Sequence, residues 1–540
     1  MRVRISYQPA VSHFSGRSTV LLVVSVITLL ASLACQASAD PPTSRDTESP
    51  NVLLLIIDDH AANMVSVMGS SAVKTPYIER LATRGVWFKH AYNPAPVCAA
   101  SRAAFLTGIH PANSGVYFNS HAYRRTDSPI ASAVTLHGHF LKHGYLVAGY
   151  GKINHTGYQE DNLSDFSPGY FNGHNLKKYV THDDSDLLDH VIPGMLRRLT
   201  GVPGAPFGPL PNDWDLDDPN KMQQDTEQAN LGINFLSQAH DKPFFLTVGF
   251  WRPHSAYIVP KRYFDLYPLE DFSLPPGYLA GDLEDVPGPG RYLAARSGRH
   301  GMVTAAGLWR EHIQAKAAST SYIDEQIGRV TDALNNSPYA DNTIVVLISD
   351  NGFHVGEKEH WSKYALWEQT NRVLFSISGP STAPRTETHP VGLIDLYPTL
   401  VSMAIPATSP THALDGVDIS KLVKGDRSDL RPPVVSTYGP GNHSVRDCRY
   451  RYIRYWNGDE ELYDHSIDPY EWKNLASTSE YDEVKIRMTQ WLPSYDAPEV
   501  APARPYDGSE MTEAVYRHWE PEWNRTRPFR ELAPSMIFQP

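Results

Sequence analysis

The chain has 540 residues, more than a single hydrophobic core usually serves, so two domains are expected. Its composition is globular, with 41% hydrophobic and 20% charged residues, and its net charge is −12 with no long basic run. That balance argues against nucleic acid, whose binding rests on neutralising phosphates, but not against a polyanionic sugar met by a local cationic pocket.

Residues 1–39 read as a secretory leader. Arg2, Arg4 and Arg17 precede an apolar run from Val20 to Ala34, and Ala37-Ser38-Ala39 offers a small-residue cleavage site. The run is short for a membrane span of roughly 20 residues, and no second run of membrane length follows. An exported protein without a membrane span is therefore expected, periplasmic or secreted. A lipid anchor at Cys35 is the weaker alternative, because Ser32-Leu33-Ala34 fits that pattern poorly. Only Cys98 and Cys448 remain beyond the leader, so at most one disulfide is possible, which favours a bacterial source.

After a polar linker, Asn51–Ile57 is a continuous apolar run, the mark of a strand buried on both faces of an α/β sheet. It ends in Asp58-Asp59, where open α/β sheets place ligands, and the pair is expected to hold a metal. A helix over Thr75–Arg84 and a strand at Val86–Phe88 lead to Asn93-Pro-Ala-Pro-Val-Cys98-Ala-Ala-Ser-Arg102. The prolines keep the approach extended, the alanines favour helix and Gly108 ends it. Cys98 is thus expected at a helix N-terminus, with Arg102 one turn on along the same side.

A strand ending near Tyr150 delivers Gly151-Lys152-Ile-Asn-His155. Residues 158–219 lack periodicity and read as a functional insertion. A helix over Glu227–Leu236 precedes a strand at Phe244–Phe250, which ends in Trp251-Arg252-Pro253-His254. Ile323, Ile327, Val330 and Leu334 share one face of an amphipathic helix over Ala315–Leu334. A second buried strand, Asn342–Ile348, ends in Ser349-Asp350-Asn351. Val391–Ala404 is expected to be helical, and the composition turns charged and proline-rich at 425–433, where the domain boundary is placed. Beyond it come strands at Val445–Tyr455 and Glu461–Asp464, an Asn457-Gly458 hairpin turn, and a helix near Glu480–Trp491.

Asp58, Asp59, Asp350 and Asn351 at strand ends, with the Cys98 loop, are expected to converge on one hard cation. Oxygen ligation suits Ca²⁺ or Mg²⁺, and no Cys/His cluster has zinc spacing. Taken singly, Lys152, His254 and Lys363 are ordinary loop residues; their order at successive strand ends is what gives them weight.

The stretch Cys98-Ala-Ala-Ser-Arg-Ala-Ala-Phe-Leu-Thr-Gly108 resembles the signature of the sulfatase family, with Ala100 at a position where proline is usual. Within that family the chain looks most like the iduronate-2-sulfatase group. The supporting pieces are Gly151-Lys-x-x-His155, Arg252-Pro-His254, Gly356-Glu-Lys-Glu-His-Trp-Ser-Lys363 and Leu462-Tyr-Asp464. The resemblance implies an alkaline phosphatase-like α/β fold: a large mixed sheet flanked by helices, in a catalytic domain over 40–430. A smaller C-terminal α+β domain with an antiparallel sheet, 431–540, would complete the pocket. It also implies that Cys98 is converted to formylglycine by a maturation enzyme. One Ca²⁺ would be held by Asp58, Asp59, Asp350, Asn351 and an oxygen of the modified Cys98. Lys152, His155, His254 and Lys363 carry over as catalytic or sulfate-binding residues, with Arg102 orienting the nucleophile.

The expected activity is hydrolysis of sulfate esters on a carbohydrate, with a 2-O-sulfated uronic acid unit of an oligosaccharide or polysaccharide as the leading substrate. A phosphate or phosphonate monoester hydrolase on the same scaffold is one alternative, and an inactive carbohydrate-binding protein is another. The segment Tyr438–Ser444 is expected to reach over the pocket. Arg449, Arg451 and Arg454 are candidates for a substrate carboxylate or for a solvated strand face.

Overall fold

Two apolar heptapeptides set the architecture. Asn51–Ile57 (β1) and Thr343–Ser349 (β6) are buried along their whole length and pair in parallel at the centre of an eight-stranded sheet. The other strands are Val86–Phe88 (β2), Leu146–Gly151 (β3), Phe171–Gly173 (β4), Phe244–Gly249 (β5), Phe375–Ser378 (β7) and Arg385–Glu387 (β8). Their order is β8-β2-β7-β6-β1-β5-β3-β4. The block β6-β1-β5-β3-β4 is parallel throughout, whereas β7 runs antiparallel to both β6 and β2. The sheet is therefore mixed, as expected. The computed structural model describes residues 49–68, 72–125, 129–155, 159–173, 207–210, 223–295, 299–305 and 307–503. The expected leader, much of 158–219 and the C-terminal tail lie outside the described residues.

Successive side chains of a strand point to opposite faces, so β1 feeds two cores at once. Val52, Leu54 and Ile56 pack with Phe105 and Leu106 of Cys98–Thr107 (α2, following α1 at Pro76–Arg84) and with Leu136 and Phe140 of α3 (Leu136–Lys142). Leu53, Leu55 and Ile57 pack on the other face with Phe235 of α4 (Gln224–Leu236) and with α5 (Trp309–Asn335). The α5 contacts are Ile323, Ile327, Val330 and Leu334, the face expected from their spacing. With apolar helices on both sides, a sheet strand must be apolar on both faces, which is why these runs do not alternate. Thr75 caps no amide of α1; instead the Asp324 carboxylate of α5 accepts from Ile78 N at 2.8 Å and Tyr77 N at 3.2 Å.

Two expected elements differ. Val391–Ala404 is not one helix: Val391–Gly392 pairs as a short strand with Ala91–Tyr92, and α6 spans only Leu396–Ala404. The Asp395 carboxylate accepts from Gly392 N at 2.8 Å and turns the chain between them. Val445–Tyr455 is two strands, His443–Arg446 (β10, following β9 at Val434–Thr437) and Tyr450–Arg454 (β11). Asp447 Oδ1 accepts from Arg449 N at 2.7 Å and Tyr450 N at 2.5 Å, an Asx turn that reverses the chain. With Glu460–Asp464 (β12) these form an antiparallel sheet in the order β9-β10-β11-β12. Met488 of α7 (Asp482–Thr489) packs on one face with Val445, Tyr452 and Leu462. Ile453 and Tyr463 on the other face pack against Ala365, Leu366 and Trp367.

Candidate active site at the strand tips

Four neighbouring parallel strands, β6, β1, β5 and β3, end side by side, and each passes directly into a charged or titratable segment. Ile57 is in register with Ser349, so Asp58 and Asp350 emerge at one level, and Asp350 N donates to Ile57 O at 3.0 Å. Asp59 adopts the left-handed region at φ 52°, uncommon for a residue with a side chain. Asp350 Oδ1 accepts from the backbone N of Asp59 at 3.1 Å and of Asn351 at 2.8 Å. Asn351 Nδ2 donates to Asp59 Oδ1 at 2.8 Å. On the other flank, Lys152 N donates to Gly249 O at 2.8 Å. A Cβ at Gly249 would sit 2.1 Å from Lys152 O, and one at Gly151 1.9 Å from Gly249 O, so only glycine permits this crossing of β3 and β5.

Cys98 opens α2 as expected, and Gly108 closes it at φ 71°. Val97 has no side-chain cap to offer, and Asn119 from a later loop supplies it, accepting from Ala99 N at 2.9 Å. The helix thereby delivers the Cys98 thiol to within 3.3 Å of Asp58 Oδ1 and 3.6 Å of Asp59 Oδ1. Lys363 Nζ lies 2.6 Å from both Asp59 Oδ1 and Cys98 Sγ. Lys152 Nζ contacts Asp58 Oδ2 and lies 4.1 Å from the centre of the Trp251 ring. His254 Nε2 is 3.3 Å from Asp59 Oδ2. Arg102 pairs with Asp350 Oδ2 at 2.8 Å, lies 3.8 Å from Asp58 Oδ1, and donates to the carbonyls of Lys152 and Ile153. His155 is buried in the loop that carries Lys152, its backbone N bonded to Asn154 Oδ1.

The structure thus brings together Asp58, Asp59, Cys98, Arg102, Lys152, His254, Asp350, Asn351 and Lys363 from separate elements. Three buried carboxylates face three buried cations, Arg102, Lys152 and Lys363. Burial alone would raise the Asp59 carboxyl, but Lys363 and His254 outweigh it and hold it well below its ordinary value. Burial, and then the Asp58 charge, push the Asp350 carboxyl up to about 6 despite Arg102. The same two causes push the Cys98 thiol well above its usual range, so at neutral pH it remains a protonated and poorly nucleophilic SH. Burial lowers His254 to about 3, with Asp59 opposing.

The donor set fits a hard cation. One ligand atom each from Asp58, Asp59, Cys98 and Asp350 lies within 4.8 Å of the others. Beside them the buried Asn351 Oδ1 has no hydrogen-bond partner, an oxygen left over by the protein's own bonding. The carboxylate and amide oxygens suit Ca²⁺ or Mg²⁺, while the Cys98 sulfur among them is a softer donor until it is replaced by an oxygen.

Lys316, which the sequence reading passed over, lies beneath this cluster, its Nζ 2.9 Å from the carbonyl oxygen of Asp59. A signal was present, since Lys316 precedes Ile323 by seven residues and so shares the apolar face of α5. Expectations for the second sheet fare differently. Tyr438 is fully buried behind Tyr364, their rings 6.0 Å apart, and His443 pairs with Asp496 at 3.2 Å. Arg451 is 1% exposed and bound to Glu368 and Glu471, and Arg449 is taken by Asp464. Both guanidinium groups are thus engaged by carboxylates, Arg451 in the interior and Arg449 at the surface, and Arg454 is exposed on its strand.

Comparison with known proteins adds the chemistry that this geometry serves. The sulfatase family profile matches residues 50–405, and the profile of the N-sulphoglucosamine sulphohydrolase C-terminal region matches residues 356–497. A sulfatase of Formosa agariphila is 33% identical over 496 residues, covering 89% of this chain and 94% of its own. The iduronate 2-sulfatase of Mus musculus is 31% identical over 372 residues, covering 66% of this chain and 64% of its own. Among solved structures, the phosphonate monoester hydrolase of Agrobacterium radiobacter superposes with a TM-score of 0.61 at 20% identity, covering 82% of this chain and 94% of that one. At that identity the likeness speaks for the fold alone.

Proposed function

The chain belongs to the sulfatase family, and on that premise we propose that it removes sulfate from 2-O-sulfated uronic acid units of a carbohydrate. The convergence of a cysteine, three carboxylates and two lysines at neighbouring strand tips carries the reading. Residue 98, once converted to formylglycine and hydrated, supplies an oxygen nucleophile, and a Ca²⁺ held by Asp58, Asp59, Asp350 and Asn351 supplies positive charge beside it.

The chain's own groups do the rest. Lys152 and Lys363 pair with Asp58 and Asp59, and their ammonium groups are the ones that would bind the oxygens of a sulfate ester beside the cation held by those carboxylates. Their burial makes those charge contacts stronger than in water. A sugar oxygen leaves poorly as an alkoxide; Lys363 is a candidate to donate the proton it needs, and His254, lowered to about 3 by burial, can do so only once a bound anionic ester raises it. His155, in the loop that carries Lys152, is the candidate to accept the proton at residue 98 as the bond to sulfate breaks and sulfate departs. Arg102 acts from behind, holding Asp350 and the 152–153 backbone so that the lysine and the carboxylates keep their spacing.

The substrate choice rests on the Gly151-Lys-x-x-His155 spacing and on the likeness to an iduronate 2-sulfatase. The division into a catalytic domain, 40–430, and a C-terminal domain, 431–540, belongs to the same reading. So do export to a bacterial periplasm or beyond and conversion of Cys98 by a maturation enzyme. No helix among the described residues is long and apolar enough to cross a membrane. Sulfate release from defined sulfated disaccharides, run beside aryl phosphate and phosphonate monoesters, tests the function. Preferential release from the 2-O-sulfated uronate is expected; a large preference for phosphorus esters would move the chain to the phosphonate hydrolase reading.

A further inference from the structure

Lys316 stands in the first third of α5 among Ile313, Ala315, Ala317 and Ala318, all buried, and its own side chain is buried as well. An amine costs free energy in such a place unless it is bonded. Its Nζ donates to two backbone carbonyls from different strand ends, Asp59 O at 2.9 Å and Pro253 O at 3.4 Å. The ring of Phe353 lies 4.1 Å from the nitrogen and that of Tyr257 5.1 Å, an aromatic floor that favours a cation and leaves the donors pointing at the carbonyls.

The two carbonyls are not incidental. Asp59 is the residue held at φ 52°, and Pro253 immediately precedes His254, whose Nε2 faces the Asp59 carboxylate at 3.3 Å. A closed circuit results, from Lys316 to the Asp59 backbone, through its carboxylate to His254, and back through Pro253 to Lys316. We propose that Lys316 is a positioning residue, a clamp that fixes the metal-facing carboxylate of Asp59 and the proton-donating ring of His254 relative to each other. The clamp works through N–H donors, which both the ammonium and the neutral amine possess. It touches neither sulfate nor sugar, and it rests on the roles proposed above for Asp59 and His254.

Lys316→Met keeps the length and apolar stem and removes the donors. In the full-length protein, kcat on a 2-O-sulfated iduronate disaccharide is expected to fall about 10- to 100-fold, as when groups supporting a ligand are lost, with KM within about threefold. Titration of Ca²⁺ into chelator-treated protein is expected to show about tenfold weaker affinity. In a His254→Ala background the same change is expected to cost less than about threefold in kcat, because the partner it positions is gone. Equal losses in both backgrounds, or unchanged Ca²⁺ affinity, would overturn the clamp. Should the Met variant not fold, Lys316→Gln, which retains a donor of shorter reach, enters the same cycle and must show the same non-additivity. Failure of the wild type on this disaccharide would count against the substrate reading, and the cycle then runs on 4-nitrophenyl sulfate. Full activity of His254→Ala alone would count against the acid assignment and remove the clamp's purpose with it.

Discussion

Two of the buried charge clusters among the described residues differ in how their charges are tied. At the strand tips, Asp58, Asp59 and Asp350 face Lys152, Lys363 and Arg102. Behind the 364–371 loop, Glu368 and Glu471 face Arg451, with Arg446 and His465 against them. In the second cluster Arg451 spans both carboxylates at 2.6 and 2.7 Å and also donates to Ser444 Oγ at 2.5 Å and Leu366 O at 3.3 Å. A rigid guanidinium fork fixed in this way joins β11 to the loop and has little left to give a ligand. In the first cluster two of the cations are lysines, point charges on flexible stems, and an amide oxygen of Asn351 stays unbonded. The difference is between carboxylates tied by a rigid guanidinium fork and carboxylates met by flexible lysines beside an unbonded amide oxygen, the arrangement that the proposed cation and anionic substrate would use.

Substitutions sharpen the contrast. The largest effect is expected at the nucleophile: Cys98→Ala should lower turnover by at least about 1,000-fold while thermal melting stays near wild type. Asp350→Ala should release the bound ion, read by metal analysis, and cost at least about 100-fold in activity; stoichiometric Ca²⁺ in an active variant would contradict its assignment. In the other cluster the ranking inverts. Arg451→Met leaves Glu368 and Glu471 buried without their main partner and should cost about 3–5 kcal/mol of stability in urea unfolding. Activity per folded molecule should stay within a small factor. If the variant were instead stable and inactive, the cluster would have a part in the chemistry.

The smallest effect is a pH dependence. Burial would raise the Glu368 carboxyl, but His465 and Arg451 hold it well below its ordinary value, and Glu471 is lowered too, chiefly by Arg451 against burial. A depressed carboxyl contributes stability that is present above the unfolded value, near about 4.3, and is lost as pH falls toward the folded value. Acid unfolding of the wild type should therefore set in below about pH 4. Without Arg451 the onset should shift to higher pH, as circular dichroism would show; an unmoved onset would mean that the pair does not govern it.

How much of this was legible in the sequence depends on range. Asn51–Ile57 and Thr343–Ser349 announce themselves because strands covered on both faces need unbroken apolar runs, and the acids that end those runs mark the site. The signature helix was readable for similarly local reasons, its alanines and closing Gly108, whereas the close approach of Gly151 and Gly249 is seen only in the fold. Arg451 was not, since its alternation with tyrosines fits a solvated strand, and its partners Glu368 and Glu471 are brought to it only by tertiary packing. Lys316 carried a readable signal, a charge on an apolar helical face, but the carbonyls it serves lie in the segments that follow two strands. The turn at Asp447–Arg449 split an expected strand because a side-chain acceptor outcompeted the ladder there.

Turnover by the proposed route depends most on what residue 98 has become in the working enzyme. Mass spectrometry of the tryptic peptide His90–Arg102 from purified, fully active protein reads it directly. A loss of about 18 Da relative to the cysteine peptide, with labelling by an aldehyde-reactive probe, is the predicted result. An unmodified, alkylatable thiol in protein of full activity would contradict it.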